Sequence, residues 1–278
     1  MTLSFRTKFF TVIAIALAAV TLFGASAVWN GASNTLEREL QRRLVPPHDL
    51  ALGALAVPPP VQRFLSRSVP PGQKPIRTAR LEQEGQFFLN GSWLPMSAHQ
   101  FFTASPPAFM WDARIRMAPL LSVYVRDAYV GGSASMRARL LALYPIVAQS
   151  NRPELNEGAL MRYLGEAAWL PTRLAPGNGL SWTAIDDEHA EATLTDGQTS
   201  VSLRFTIDAS GAITEISSPG RYREVDGAYV RTPWRVRALG HEVLGGVRLM
   251  SPAEAEWDLP EGPLPYWRGR ITRVEYTY

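Results

Sequence analysis

The sequence contains no cysteine, and this absence excludes several kinds of site. Disulfides, thiolate nucleophiles, iron–sulfur clusters and cysteine-ligated zinc all require that residue, and so does a lipid anchor of the lipoprotein type. Lysine is nearly absent too, since Lys8 and Lys74 are the only two. The arginines are spread along the chain and the net charge is only +3, so the clustered basic stripe that binds nucleic acid is missing. We therefore expect no nucleic-acid partner.

Motifs for catalysis and for cofactor binding are also missing. The stretch GGSAS, residues 131–135, lacks the second glycine of a G-x-S-x-G nucleophile motif, and no glycine-rich phosphate loop occurs. The histidines are far apart and none has metal-binding spacing: His48, His99, His189 and His241. Asp186–Glu188 lie between two strand-like segments, where a hairpin turn is a simpler interpretation than a calcium site or a carboxylate pair. We predict no catalytic residue, no metal site and no cofactor.

A long apolar run is the clearest feature of the N-terminal region. Residues 9–29 carry no charge and follow Arg6 and Lys8. About twenty helical residues cross the ~30 Å hydrocarbon layer, and positive charges stay on the cytoplasmic side. This predicts a single-pass inner-membrane anchor at residues 9–29, with residues 1–8 in the cytoplasm and the main domain in the periplasm. A cleaved signal peptide is the alternative, because Ala25-Ser26-Ala27 has the form of a cleavage site, and it would release the domain into the periplasm.

Residues 30–75 are polar or rich in proline, which indicates a semi-rigid stalk with short helices. The stretch ERELQRRL is helical in pattern, and PPPVQRFLSRS predicts a short helix that begins with proline. We expect the folded domain to occupy residues 76–278.

Beyond the stalk, apolar residues alternate with polar ones, as in half-buried strands. The alternation is clearest in residues 111–117 and 201–208, and turn pairs such as Asn90-Gly91 and Asp226-Gly227 separate such segments. Short turns join antiparallel neighbours, because parallel strands need long crossovers. The expected fold class is therefore mainly β, with about eleven strands in a large curved antiparallel sheet or half-barrel. One or two helices cover it, and the N-terminal transmembrane helix precedes it.

One amphipathic helix is predicted at about residues 153–169. Pro153 suits its first turn, and Pro171 lies just beyond its end. Tyr163 belongs to the apolar face, which we expect to pack on the sheet. Arg162 and Glu166 lie at the edge of that face, one helical turn apart, so an ion pair between them is expected.

Six residues are candidates for a ligand-binding site or for a structural clasp: Arg162, Tyr163, Glu166, Trp169, Trp111 and Trp182. Tryptophans of this kind can line a pocket for an apolar ligand, although core packing is the simpler role for any one of them. As a catalytic carboxylate, Glu166 would need a pocket of low dielectric and a partner acid or base, whereas an ion pair explains it more simply. The choice between a functional and a structural Glu166 stays open.

A series of short motifs resembles an uncharacterised bacterial family, a domain of unknown function. The motifs include VPPPVQRFL, FMWDARIRM and, at residues 162–172, a string of the form R-Y-L-x-E-x-x-W-x-P-T. The resemblance covers about residues 57–278 and implies no catalytic residue. The expected architecture is also similar to the lipoprotein-carrier group, whose half-barrel holds acyl chains.

These observations predict a membrane-anchored envelope protein that binds a lipid or another apolar small molecule in its curved sheet. The alternatives are an interaction or scaffold module that holds another envelope protein, and an enzyme that uses Glu166. An open apolar cavity on the concave face would favour a ligand, whereas a filled core with a flat exposed apolar patch would favour a protein partner.

Overall fold

The computed structural model describes residues 5–45 and 56–278, with the side chains of residues 5–15 and of Ala18 left out of the description. Three α-helices lie in this part of the chain: α1 (Phe5–Arg42), α2 (Pro59–Ser68) and α3 (Pro153–Glu166). Two short 3-10 turns, Ala167–Trp169 and Pro171–Leu174, follow α3. The helix predicted at about 153–169 is therefore present, with its last turn tightened.

The described residues also contain fifteen strands, more than the alternation predicted. Their bounds are β1 (Thr78–Leu89), β2 (Ser92–Thr103), β3 (Ala108–Ala118), β4 (Leu121–Val130), β5 (Ser133–Leu140), β6 (Tyr144–Ser150), β7 (Leu180–Ala184), β8 (His189–Asp196), β9 (Thr199–Ile207), β10 (Ile213–Val225), β11 (Ala228–Ala238), β12 (His241–Leu244), β13 (Val247–Met250), β14 (Ala253–Leu259) and β15 (Gly262–Thr277).

Thirteen of these strands form one antiparallel sheet in the order β6-β5-β4-β3-β2-β1-β15-β14-β11-β10-β9-β8-β7, while β12 and β13 form a separate hairpin. So wide a sheet must twist and curl. Helix α3 contacts β4 and β5 near one edge and β8, β9 and β10 near the other. Tyr129 of β4 likewise donates a hydrogen bond to Asp196 of β8, 2.8 Å away. The predicted mainly β fold with a curved antiparallel half-barrel is thus confirmed.

The concave face of the sheet holds the main core. Alternate residues of each strand point inward, and α3, the two 3-10 turns and α2 fill the space above them. Val61, Phe64 and Leu65 of α2 are buried in this core, as is Ile76. The sequence alone places the start of the folded domain near Ile76. The structure places it earlier, because α2 contributes an apolar face to the core.

Helix α1 packs on the opposite, convex face. Leu40 is fully buried against Phe101, Met110 and Ala128, which point outward from β2, β3 and β4. The first part of the predicted stalk is therefore helix and is attached to the sheet. The following segment, residues 46–55 with His48, lies outside the described residues.

Within the described part of the chain, no helix has a stretch that is long and apolar enough to cross a membrane. This does not support the predicted single-pass anchor. The side chains of residues 1–15 and of Ala18, which include part of the predicted span, lie outside the described part of the chain. The anchor and the inner-membrane location stay predictions.

Candidate functional site

A network of polar side chains joins α3 to the concave face of the sheet. We call it the α3 clasp, and it consists of Gln83 of β1, Gln100 of β2, Trp111 of β3, Asp127 of β4, and Arg162 and Glu166 of α3. Gln100 pairs with Trp111, and Trp111 pairs with Asp127, in the strand register. Cross-strand partners point to the same face, so these three side chains form one row beneath the helix.

Arg162 is the centre of the clasp. Its Nε donates to Glu166 Oε1 over 2.8 Å, and its Nη1 donates to Asp127 Oδ2 over 2.7 Å. The guanidinium also lies over the rings of Trp111 and Phe109, with 4.9 and 5.1 Å between its central carbon and the ring centroids. The expected ion pair between Arg162 and Glu166 is confirmed, and the bond to Asp127 extends it from the helix to the sheet.

The second oxygen of Glu166 continues the network into the sheet. Gln100 Nε2 donates to Glu166 Oε2 over 2.8 Å, and Gln83 Nε2 donates to Gln100 Oε1 over 2.7 Å. Trp111 Nε1 then donates to Gln83 Oε1 over 3.0 Å. Protein groups therefore engage both carboxylate oxygens of Glu166, and this arrangement gives no support to its use as a catalytic acid or base. A satisfied polar network of this kind fixes one position of the helix on the sheet.

Burial and ionic partners shift the pKa values of Glu166 and Arg162 in opposite directions. Burial raises the pKa of Glu166 above its ordinary value, although Arg162 and Gln100 act to lower it. For Arg162, burial acts to lower the pKa, but the Glu166 and Asp127 carboxylates outweigh it and the pKa is raised. Arg162 is thus charged at every physiological pH, and Glu166 holds its proton more tightly than an exposed glutamate does.

Tyr163 is buried beside the clasp and ties α3 to the end of β2. Its hydroxyl donates to Thr103 O over 2.9 Å and accepts a bond from Arg173 Nε over 3.2 Å. Burial raises its pKa, so the hydroxyl stays protonated. Tyr163 therefore points at the sheet, as its place on the apolar face of the helix predicts. Arg173 has no counterpart among the sequence candidates, and only the fold brings it here.

The two remaining candidates are tryptophans with satisfied indole groups, Trp169 buried in the core and Trp182 partly buried against it. Trp169 Nε1 donates to Met250 O over 3.0 Å, and its ring lies against Phe102. Trp182, on the edge strand β7, donates to Leu174 O over 2.8 Å and packs edge-on against Phe205. The structure thus brings Trp111, Arg162 and Glu166 together in the clasp, places Tyr163 beside it, and gives Trp169 and Trp182 separate places in the core.

Sequence reasoning also missed Arg221, a half-buried arginine on the concave face. The Arg221 guanidinium carbon lies 4.8 Å from the Trp234 ring centroid, and Arg221 donates to Tyr266 Oη over 3.2 Å and to Gly158 O of α3 over 3.2 Å. Plain alternation from Ser218 would put Arg221 on the convex face. A bulge between Ser218 and Arg221 inserts one extra residue and turns its side chain inward. In the sequence, Pro219-Gly220 is the feature that indicates this bulge, since proline and glycine inside a strand often mark one.

The convex face carries charged side chains in ion pairs across neighbouring strands. Glu254 and Glu256 of β14 are buried there, and their partners are Arg235, Arg237 and Arg268. Two hollows, of about 740 and 690 Å³, open on this face, and arginine and glutamate side chains line much of each. Such walls do not suit an apolar ligand. Among the described residues, no three histidine or carboxylate side chains lie close enough to hold a metal ion.

The acidic stretch Asp186–Glu188 forms the turn between β7 and β8. Asp186 Oδ1 accepts bonds from the backbone N–H of Glu188 over 2.9 Å and of His189 over 2.8 Å. The Glu188 N–H and the His189 side chain lower the pKa of Asp186. The carboxylate closes a hairpin, as predicted.

A comparison with known protein families identifies the family of this chain. The profile of a family of unknown function, DUF6544, matches residues 53–269. The chain belongs to DUF6544. This supports the expected membership of an uncharacterised family, whereas the particular R-Y-L-x-E-x-x-W-x-P-T string stays a prediction. No curated protein matches this DUF6544 member.

Three solved structures are similar to this DUF6544 member, each at low identity. A DUF1329 family protein from Desulfovibrio piger has 11% identity and a TM-score of 0.37, with 78% of this chain and 90% of that chain covered. A putative outer membrane lipoprotein-sorting protein domain from Vibrio parahaemolyticus has 7% identity and a TM-score of 0.40, with 72% and 86% covered. A β-barrel-like DUF1849 protein from Brucella abortus has 9% identity and a TM-score of 0.27, with 73% and 98% covered. Likeness at this level transfers no function.

Proposed function

We propose that this chain is a membrane-anchored envelope protein, single-pass in the inner membrane, that binds a lipid acyl chain or another apolar molecule in the periplasm. The ligand lies between the concave face of the sheet and α3. The observation that carries the proposal is the composition of this interface, which is mostly aromatic and aliphatic apart from the α3 clasp, Arg173 and Arg221. Each methylene buried there contributes about 0.8 kcal/mol to binding.

The helix and its neighbours fill the concave face in the described residues, in place of the open apolar cavity that would favour a ligand directly. Ligand entry therefore requires α3 to move. Leu160 and Leu164 of α3 are fully buried, so an acyl chain that replaces them meets the same apolar wall. The bond from Arg162 to Asp127 crosses from helix to sheet, whereas the bond from Arg162 to Glu166 stays within the helix. Other bonds also join α3 to the sheet, among them those from Gln100 to Glu166 and from Tyr163 to Thr103, so breaking the Arg162–Asp127 ion pair is one of the steps that free α3.

A pair of variants tests this proposal. Asp127→Asn weakens the ion pair between β4 and Arg162 of α3. Glu157→Gln is the control, because it removes a more exposed ion pair between Glu157 of α3 and Arg231 of β11. The full chain in mild detergent is titrated with dansyl-undecanoic acid, whose fluorescence rises in apolar surroundings. We expect saturable binding to the wild type, a faster association with Asp127→Asn, and no change with Glu157→Gln.

Native mass spectrometry of the protein released from membranes gives the second measurement. Adducts with the mass of a lipid support the proposal, and Asp127→Asn should change their occupancy. An empty protein that also fails to bind the dansyl probe saturably would overturn it.

The packing of the same interface favours a second candidate, a module that binds another envelope protein. Aromatic side chains such as Trp257 and Tyr266 stack on each other, with 5.8 Å between ring centroids, rather than line an open space. An empty protein in the native mass spectrum, with probe binding absent from both variants, would favour this candidate.

A further inference from the structure

Two neighbouring hairpin turns expose a cluster of large apolar side chains. We call it the tip surface, and it consists of Met117 and Leu120 at the turn between β3 and β4, and Leu143, Tyr144 and Ile146 at and after the turn between β5 and β6. Leu120 is 92% exposed and Tyr144 is 76% exposed. The turns are adjacent, because Leu141 N donates to Ser122 O over 2.8 Å. Together they form one apolar surface at one end of the sheet.

The backbone gives no reason for leucine at these turns. Leu120 has a φ of 62° and Leu141 a φ of 54°, in the left-handed region that glycine and asparagine adopt far more readily than leucine. Leu120 is also almost fully exposed, so packing does not require it. An exposed leucine in an unfavourable conformation indicates a role outside the fold.

The strands that lead to the tip surface carry positive charge. Residues 113–126 and 134–153 contain six arginines and no acidic residue. Arg126 is paired with Asp112 under α1, but Arg114, Arg116, Arg137 and Arg139 form no ion pair with any described residue. Exposed apolar side chains beside unpaired arginines match the chemistry of a membrane interface with anionic headgroups.

Helix α1 leads toward the same end of the sheet. Along β4, Tyr124 contacts Ser26, Arg126 contacts Trp29, and Ala128 packs near Leu40. The helix therefore runs alongside β4, with its N-terminal part on the side of Leu120. Leu120 lies about 13 Å beyond Tyr124, at 3.3 Å per strand residue, and about nine helical residues span that distance. The tip surface is therefore level with about residue 17, and the helix before that residue extends past the sheet.

We propose that the tip surface contacts the headgroup region of an anionic lipid bilayer, the bilayer that holds α1. Leu120 and Leu143 enter the interface, and Arg116 and Arg139, the unpaired arginines nearest to the two turns in the strand register, bind lipid phosphates. This inference rests on the proposed membrane attachment of α1 and is independent of ligand binding on the concave face.

Because the chain lacks cysteine, a single introduced cysteine reports one position. Leu120→Cys and Leu143→Cys carry an environment-sensitive NBD label, and Val243→Cys, 70% exposed on the separate β12–β13 hairpin, is the matched control. The full chain is reconstituted in phosphatidylcholine vesicles with or without phosphatidylglycerol, and quenching by nitroxide-labelled lipid is measured. We expect quenching and a blue shift at residues 120 and 143, stronger with phosphatidylglycerol and weaker in high salt, and neither at residue 243.

Each other outcome contradicts the proposal in a distinct way. A protein that stays with the vesicles while residues 120 and 143 are quenched no more than residue 243 overturns the tip contact and leaves the attachment intact. A protein that does not float with vesicles overturns both. A blue shift without vesicles that grows with protein concentration means that a second copy covers the tip surface. Leu120→Asn, which suits the backbone, should unfold at the same or a higher denaturant concentration while losing the lipid contact, which separates this effect from misfolding.

Discussion

The two faces of the large sheet both bury charged groups, but they do so in different surroundings. On the concave face, Arg162 holds Asp127 and Glu166 between a helix and an aromatic wall. On the convex face, Arg235 and Arg237 hold Glu256, which is fully buried, while the arginines themselves reach solvent. Both members of each clasp pair are largely withdrawn from water, since Arg162 is 18% exposed, whereas Arg235 and Arg237 of the convex pairs are 29% and 45% exposed and water can solvate them. Loss of one member should cost much more on the concave face.

The largest effect is expected from Arg162→Met. The change leaves the Asp127 and Glu166 carboxylates without their counter-charge, and it should lower the free energy of unfolding by about 3 kcal/mol. Urea unfolding followed by tryptophan fluorescence measures the loss. The matched control is Arg231→Met, since Arg231 forms an exposed ion pair with Glu157 of the same helix, and its loss should be below about 1 kcal/mol. Equal losses in the two variants would contradict the distinction.

A smaller loss is expected from Tyr163→Phe. The hydroxyl bonds to Thr103 O and Arg173 Nε disappear while the ring stays, so the buried carbonyl and guanidinium lose a partner, at a cost of about 1.5 kcal/mol. The measurement is again urea unfolding. Tyr144→Phe, at an exposed tyrosine, is the control and should leave stability within about 0.5 kcal/mol.

The convex counterpart is Glu256→Gln. Both arginine partners retain access to water, and the amide can still accept a bond, so we expect a loss of about 1 kcal/mol. A loss as large as that of Arg162→Met would show that burial of the acidic group alone, rather than of the whole network, sets the cost.

The smallest effects concern the dependence of stability on pH. The contributions of Glu166 and Asp186 to stability should change with pH in opposite directions. The pKa of Glu166 is raised, so the folded state holds the proton longer than the unfolded state, and stability falls as pH rises from the ordinary glutamate pKa through the raised one. The pKa of Asp186 is lowered, so its contribution is present above the ordinary aspartate pKa and is lost as pH falls through the lowered one. Unfolding of Glu166→Gln and Asp186→Asn at several pH values, each compared with the wild type, should show these opposite trends. Trends of the same sign would contradict the assignment.

Much of the local structure could be predicted from sequence. The two-residue alternation in residues 111–117 and 201–208 predicts strands that the structure contains, and Pro153 and Pro171 bracket α3. The helical spacing of Arg162 and Glu166 predicts their ion pair, since one turn brings side chains into contact whatever surrounds the helix.

The non-local half of the clasp could not be predicted in this way. Gln83, Gln100 and Asp127 carry no motif, and they meet α3 because the strand register puts them in one region and the sheet curls over the helix. Arg221 shows the same limit, because a single extra residue in β10 reverses which face it occupies.

The sequence by itself thus determined the class of fold, the position of α3 and the ion pair within it, because each depends on side-chain spacing along a few neighbouring residues. Only the tertiary structure decided that Glu166 is held by the sheet as well as by Arg162, that α1 lies along the convex face, and that apolar turns and unpaired arginines share one end of the sheet. Those outcomes depend on strand register and on the curvature of the sheet. Both bring together residues that are far apart in the chain, so no fixed spacing in the sequence predicts them.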